Sequence, residues 1–146
     1  MMRRIGLFLV FILTMQIAYG NYAFYNTVKK TCEGYRVIIK QDDMEMLQDE
    51  FDLNLKSNRN NFEMIMVVGF AAVGQAIRQQ YYLAEKHSDY KPYIPEKIAI
   101  KVVVPVERNQ MTIFAHADAE LVRQLAEGKI ETVDFMRQIK DSIQTL

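Results

Sequence analysis

Apolar residues recur along this chain with several spacings, and each spacing predicts a different element. Residues 5–15 are almost uninterrupted, from Ile5 through Leu9 and Leu13 to Met15, and Arg3 and Arg4 precede them. Met44, Leu47, Phe51 and Leu55 follow at three- and four-residue intervals. That predicts an amphipathic helix over 42–56, capped by Asp42, with an acidic outer face. A second helix is predicted over about 62–86, with Asn60 or Asn61 at its start. Between Met64 and Ala76 it is apolar nearly all the way round, as expected of a helix covered on more than one side.

Ile98, Ile100, Val102, Val104 and Val106 then alternate with Ala99, Lys101 and Val103, a strand signal. A turn at 107–110 and a return strand at 111–117 complete a hairpin. Asp118 is placed to cap a short helix that ends at Gly128, where a left-handed residue is common. Thr132 is placed to cap a last helix, with Phe135, Met136, Ile139, Ile143 and Leu146 on one face. Residues 21–40 carry little pattern, and 35–40 reads as either a strand or the end of a helix. The expected fold class is therefore α+β: an N-terminal segment, two helices with the second long and apolar, a β-hairpin, and two C-terminal helices. A lone hairpin is marginal in water. Residues 35–40, or a second copy of the chain, are expected to add a strand.

The N-terminal segment has the layout of an export signal. Two arginines precede an apolar run within the window of roughly 7–15 residues expected of a signal core, and short of the ~20 needed to span a bilayer. Ala18 and Gly20 flank Tyr19 with the small side chains that leader peptidases require, so cleavage before Asn21 is one expectation. The other is an uncleaved anchor, in which Ile17, Ala18, Tyr19 and the aromatics Tyr22, Phe24 and Tyr25 extend the run to spanning length. The chain thus divides into 1–20, a signal peptide or membrane anchor, and 21–146, a single small domain. On either reading the domain is extracytoplasmic, periplasmic or secreted.

Composition narrows the classes further. Of 146 residues half are apolar and a quarter charged, a normal globular balance. Without Arg3 and Arg4 the 18 basic residues fall to 16 against 18 acidic ones, which excludes the basic footprint of a nucleic-acid binder. Cys32 is the single cysteine, so no intramolecular disulfide is possible and the fold must rely on its apolar core. The expected role of Cys32 is packing, with an intermolecular disulfide or reactive thiol as the lesser alternative.

Candidate chemistry is sparse. His87, Ser88 and Asp89 contain the letters of a hydrolase triad, but neighbours on a loop diverge and no nucleophile elbow is present. His116 and Asp118, two apart on a strand, share a face and are the best metal pair, with Glu120 nearby; Asp118 is also accounted for as a helix cap. The acidic stretch 42–52 lacks the ligand spacing of a calcium loop. Tyr81, Tyr82, Tyr90 and Tyr93, with Lys86 and Lys91 among them, form the most binding-like cluster. No cofactor is implied.

These observations favour a non-enzymatic module, exported or membrane-tethered, that works through an envelope protein partner or as a homo-oligomer. An alternative is a binding protein for an apolar or envelope-derived ligand, which requires an enclosed cavity between the long helix and the hairpin. A small hydrolase or metal-dependent enzyme ranks third and requires a cleft that joins His87 or His116 to a carboxylate.

Overall fold

In the computed structural model, which describes residues 20–58 and 60–146, the sheet grows from the strongest alternation in the chain. Strands β1 (Met44–Met46), β2 (Glu50–Lys56), β3 (Lys97–Val106), β4 (Asn109–Asp118) and β5 (Gln144–Thr145) lie side by side in that order. β3 and β4 pair antiparallel from Lys97 opposite Asp118 to Val106 opposite Asn109. The connecting turn is the two residues Glu107 and Arg108, with Glu107 at a left-handed φ of 51°. The hairpin expected from sequence is present, slightly longer at its ends.

The helix expected over 42–56 is absent. A 3-10 turn at Gln41–Asp43 leads instead into β1, which pairs antiparallel with β2. Met44, Leu47, Phe51 and Leu55 do match a helical period, but that reading leaves Leu53 on the polar side. In the fold Phe51, Leu53 and Leu55 are all buried, while Asp52, Asn54 and Lys56 alternate with them. Period two describes more of the segment than period 3.6. β2 then runs parallel to β3, with Glu50 opposite Lys97 and Lys56 opposite Val103. Parallel neighbours need a crossover, and helix α2 (Phe62–Lys86) supplies it. The strands that complete the hairpin thus come from neither 35–40 nor a second copy.

α2 has 25 residues and starts after Asn61, within the range the sequence indicated. The Asn61 side chain does not cap the helix; its Oδ1 accepts from the Asn58 N–H at 2.8 Å. Within the apolar stretch from Met64 to Ala76 only Met64 is exposed, whereas further along the helix Tyr81 and Tyr82 face solvent. Among the described residues no helix is long and apolar enough to cross a membrane. Two glycines set how closely α2 is packed. A Cβ on Gly69 would lie 2.7 Å from Leu55 Cδ1, and one on Gly74 would lie 2.4 Å from the Val122 carbonyl oxygen. The first admits the sheet and the second admits helix α3 (Ala119–Ala126).

Residues 20–34 are helical (α1), although the sequence there reads as weakly patterned. Gly20, Phe24, Val28 and Cys32, four apart, are its buried stripe. The helix ends where Arg36 adopts φ 61° and the Val37 N–H reaches back to the Cys32 carbonyl at 2.9 Å. Residues 37–40 are extended but form no strand.

Asp118 precedes α3 without making a side-chain cap, and Gly128 takes the expected left-handed conformation at φ 70°. Helix α4 (Thr132–Ile139) stops well short of the C-terminus, contrary to the expected single face out to Leu146. Ser142 holds the chain at this point: its Oγ donates to the Ile139 carbonyl at 2.6 Å and accepts the His116 N–H at 3.2 Å. Those bonds end the helix in a 3-10 turn at Lys140–Ser142 and lead the chain into β5. Ile143 and Leu146 are exposed as a result.

The sheet residues that meet the helices belong to one face. Phe24 of α1 packs edge-on to Phe51 at 5.0 Å, and Gly69 of α2 sits against Leu55 and Ile100. Phe70 of α2 packs against Phe135 of α4 at 5.1 Å. The result is a two-layer α+β domain whose core lies between the helices and a single sheet face.

Candidate functional site

The tyrosine cluster divides into two buried-end anchors and two surface rings. Gln80 of α2 is fully buried, and its Oε1 accepts from the Tyr90 hydroxyl at 3.1 Å and the Tyr93 N–H at 2.8 Å. Its Nε2 donates to the Gly20 carbonyl at 3.3 Å. One amide side chain therefore joins α1, α2 and the connector 87–96. The Tyr93 hydroxyl donates to the Leu47 carbonyl at 2.6 Å and more weakly to that of Glu50 at 3.2 Å. Burial, then the charges of Asp52 and Asp49, push the Tyr93 phenol well above its ordinary range. It stays a neutral donor. Tyr81 and Tyr82 are exposed, and each carries a cation over its ring, Arg123 at 5.1 Å and Lys86 at 4.7 Å. Tyr90 and Tyr93 thus hold the fold together, leaving Tyr81 and Tyr82 as available surface. The buried Gln80 that organises them carried no signal in sequence, since an isolated glutamine on a helix is ordinarily solvated.

His116 and Asp118 line one surface depression of about 340 Å³, with Leu121, Gln138, Ile139, Asp141 and Ser142 around them. β5 pairs with β4 at Ile113 and Phe114, the Leu146 N–H reaches the Thr112 carbonyl at 2.8 Å, and the His116 N–H donates to the Ser142 hydroxyl. The His116 ring lies 5.9 Å from that of Phe114, tilted against it. Among the described residues no group of three or more histidine, cysteine or carboxylate side chains is placed to hold a metal ion. Glu120 is engaged elsewhere, bound to Arg123 at 2.8 Å. His87 ends α2 in an exposed loop, where the only side-chain bond between its neighbours is Ser88 to Asp89 at 3.3 Å. No catalytic constellation forms there.

The sheet face turned away from the described helices is a surface that sequence reasoning missed. Alternation and register place its side chains in cross-strand rows. Glu45, Asp52, Ala99 and His116 form one row, and Asn54, Lys101, Phe114 and Gln144 the next. Lys56, Val103 and Thr112 form a third. Val103, Thr112 and Phe114 are half-buried on this face, and His116, also half-buried, stands at its border with α3 and α4. Asp52 is the electrostatically strained member. Its Oδ1 is buried without a hydrogen-bond partner. Desolvation and the neighbouring Glu50 raise its carboxyl pKa, against which Lys101 acts. The acidic stretch expected on a helix face is therefore distributed over a turn and two strands, with part of it on this surface.

The space between α2 and the hairpin is filled: Phe70, Val73, Ile98, Ile100, Val102 and Ala115 are buried there. A surface depression of about 410 Å³ lies elsewhere, beside α1 and β1, lined by Asn21, Tyr22, Tyr25, Gln41, Met44 and Met46. This counts against the enclosed apolar-ligand cavity. Cys32 is buried and free, facing the core. Arg3, Arg4 and Ala18 of the export segment lie outside the described residues, whereas Gly20 lies within them, in α1. Comparison with protein families, curated proteins and solved structures finds no match to the chain.

Proposed function

We propose that this chain is a small non-enzymatic module, delivered out of the cytoplasm by its N-terminal segment, that acts through protein contacts in an envelope complex or with further copies of itself. The observation that carries the reading is the helix-free sheet face. All-parallel sheets are ordinarily covered on both sides and antiparallel ones commonly leave a face to solvent; this mixed sheet holds one parallel pair. Here the β2–β3 pair has its second side, with Asp52, Asn54, Lys56, Ala99, Lys101 and Val103, free of any described helix, and Thr112 and Phe114 of the antiparallel neighbour β4 lie beside it. A mixed surface of this kind suits a polar-rimmed contact better than a catalytic cleft.

The test is crosslinking of the full chain in its native membrane, comparing wild type with Phe114→Glu. Expected is a discrete crosslinked species that the substitution removes while the thermal melt stays cooperative. A chain that crosslinks to nothing, and is a monomer in mild detergent, sinks the proposal.

A further inference from the structure

Gly20 was singled out in sequence as the small residue a leader peptidase needs, but the fold supplies a second reason for its size. It is buried, and a Cβ there would stand 2.9 Å from the Lys91 carbonyl oxygen. It lies on the same buried stripe as Phe24, Val28 and Cys32. Its carbonyl is the acceptor for Nε2 of Gln80, the one fully buried polar side chain among the described residues. Whether a chain tolerates truncation depends on the burial and hydrogen bonding of the backbone removed. A cut at Gly20–Asn21 would delete a packed residue and leave a buried amide donor without its partner, the costly half of a broken hydrogen bond. The bond also lies within helix, whereas peptidases that recognise a segment by strand addition need it extended.

We infer that the Gly20–Asn21 bond is left uncut and that residues 1–20 stay joined to the domain as its membrane tether. The inference rests on the export reading above and decides between its two forms. Tyr22, 62 % exposed and two residues after Gly20, is then an aromatic available to the membrane interface.

The experiment is to express the full chain with a C-terminal tag in a host with a general secretory pathway. Intact mass and membrane partition are measured for wild type and Gly20→Val, since valine blocks a peptidase that requires a small residue. Expected is an uncut chain for both, retained in the membrane fraction after alkaline carbonate washing, with the melting temperature of the variant lowered by several degrees. Wild type beginning at Asn21, or at any residue after the apolar run, overturns the tether while leaving export intact. So does a melting temperature unmoved by valine, because Gly20 is then not seated in the fold. An uncut chain dissolved in the cytosol overturns tether and export together.

Discussion

The hydroxyl of Tyr93 reaches the carbonyl of Leu47 at 2.6 Å, tying the connector before β3 to the turn between β1 and β2. The same ring stands edge-on to Phe24 of α1 at 5.0 Å. Tyr93→Phe keeps the ring and removes only the hydroxyl. It leaves the Leu47 and Glu50 carbonyls a donor short, so the expected loss is about 1 kcal/mol. In a domain of this size that lowers the melting temperature by a few degrees. A thermal melt monitored by circular dichroism checks this, and an unchanged midpoint would show that the bond contributes nothing.

Two glycines predict opposite outcomes for one substitution. Gly74→Ala drives a methyl into the Val122 carbonyl and the Ala126 Cβ, 2.4 and 2.6 Å away, so α2 and α3 must separate. Overpacking of that kind costs roughly 1–3 kcal/mol and outweighs the helix-propensity gain of about 1 kcal/mol. Gly34, at the end of α1, has nothing within 4 Å of the added Cβ. Gly34→Ala is expected to stabilise by several tenths of a kcal/mol, because only the propensity effect remains. Denaturant midpoints for the two variants should move in opposite directions.

The contrast between these elements shows what was legible in the sequence. The β3–β4 hairpin and α2 could be read because long runs of one period leave no competing assignment. The β1–β2 pair could not: strands of three and seven residues carry too few positions to outvote a chance helical spacing, and Leu53 was the deciding one. α1 was obscured because its described stripe includes Gly20 and Cys32, neither of which looks like a core position. The tyrosine cluster was visible as composition, but its division depended on Gln80, whose burial only the tertiary fold creates. His116 and Asp118 line one depression, without a third ligand among the described residues.

Asp52 gives the domain a predictable response to acid. Its folded-state pKa is raised, chiefly by desolvation, so the folded chain binds this proton more tightly than the unfolded chain. The ionised side chain is therefore destabilising at neutral pH, and the penalty is relieved as pH falls through the raised value. Asp52→Asn, neutral at every pH, is expected to melt higher than wild type at pH 7. The gap should narrow on acidification toward the carboxylate range. Equal melting temperatures at neutral pH, or a gap that widens in acid, would contradict the assignment.

Cys32 reports on whether α1 stays docked. Burial, with a smaller contribution from Glu33, pushes its thiol up to about 11. At pH 8 the folded chain then holds only about one thiolate per thousand thiols, against roughly a quarter in an unfolded chain of ordinary pKa near 8.5. Alkylation needs both the thiolate and access, and Cys32 lies with Phe24 and Val28 in the core. Iodoacetamide at pH 8 is expected to leave the native chain unmodified over hours and to label it promptly in guanidinium. Val28→Ala loosens the adjacent turn of the stripe and removes buried methyl groups, a change that costs about 1–3 kcal/mol. Labelling of that variant under native conditions should accelerate in proportion to the lost stability, by about tenfold for each 1.4 kcal/mol, if opening of the domain is what exposes the sulfur. Rapid native labelling of wild type would instead place the thiol at the surface and α1 off the sheet.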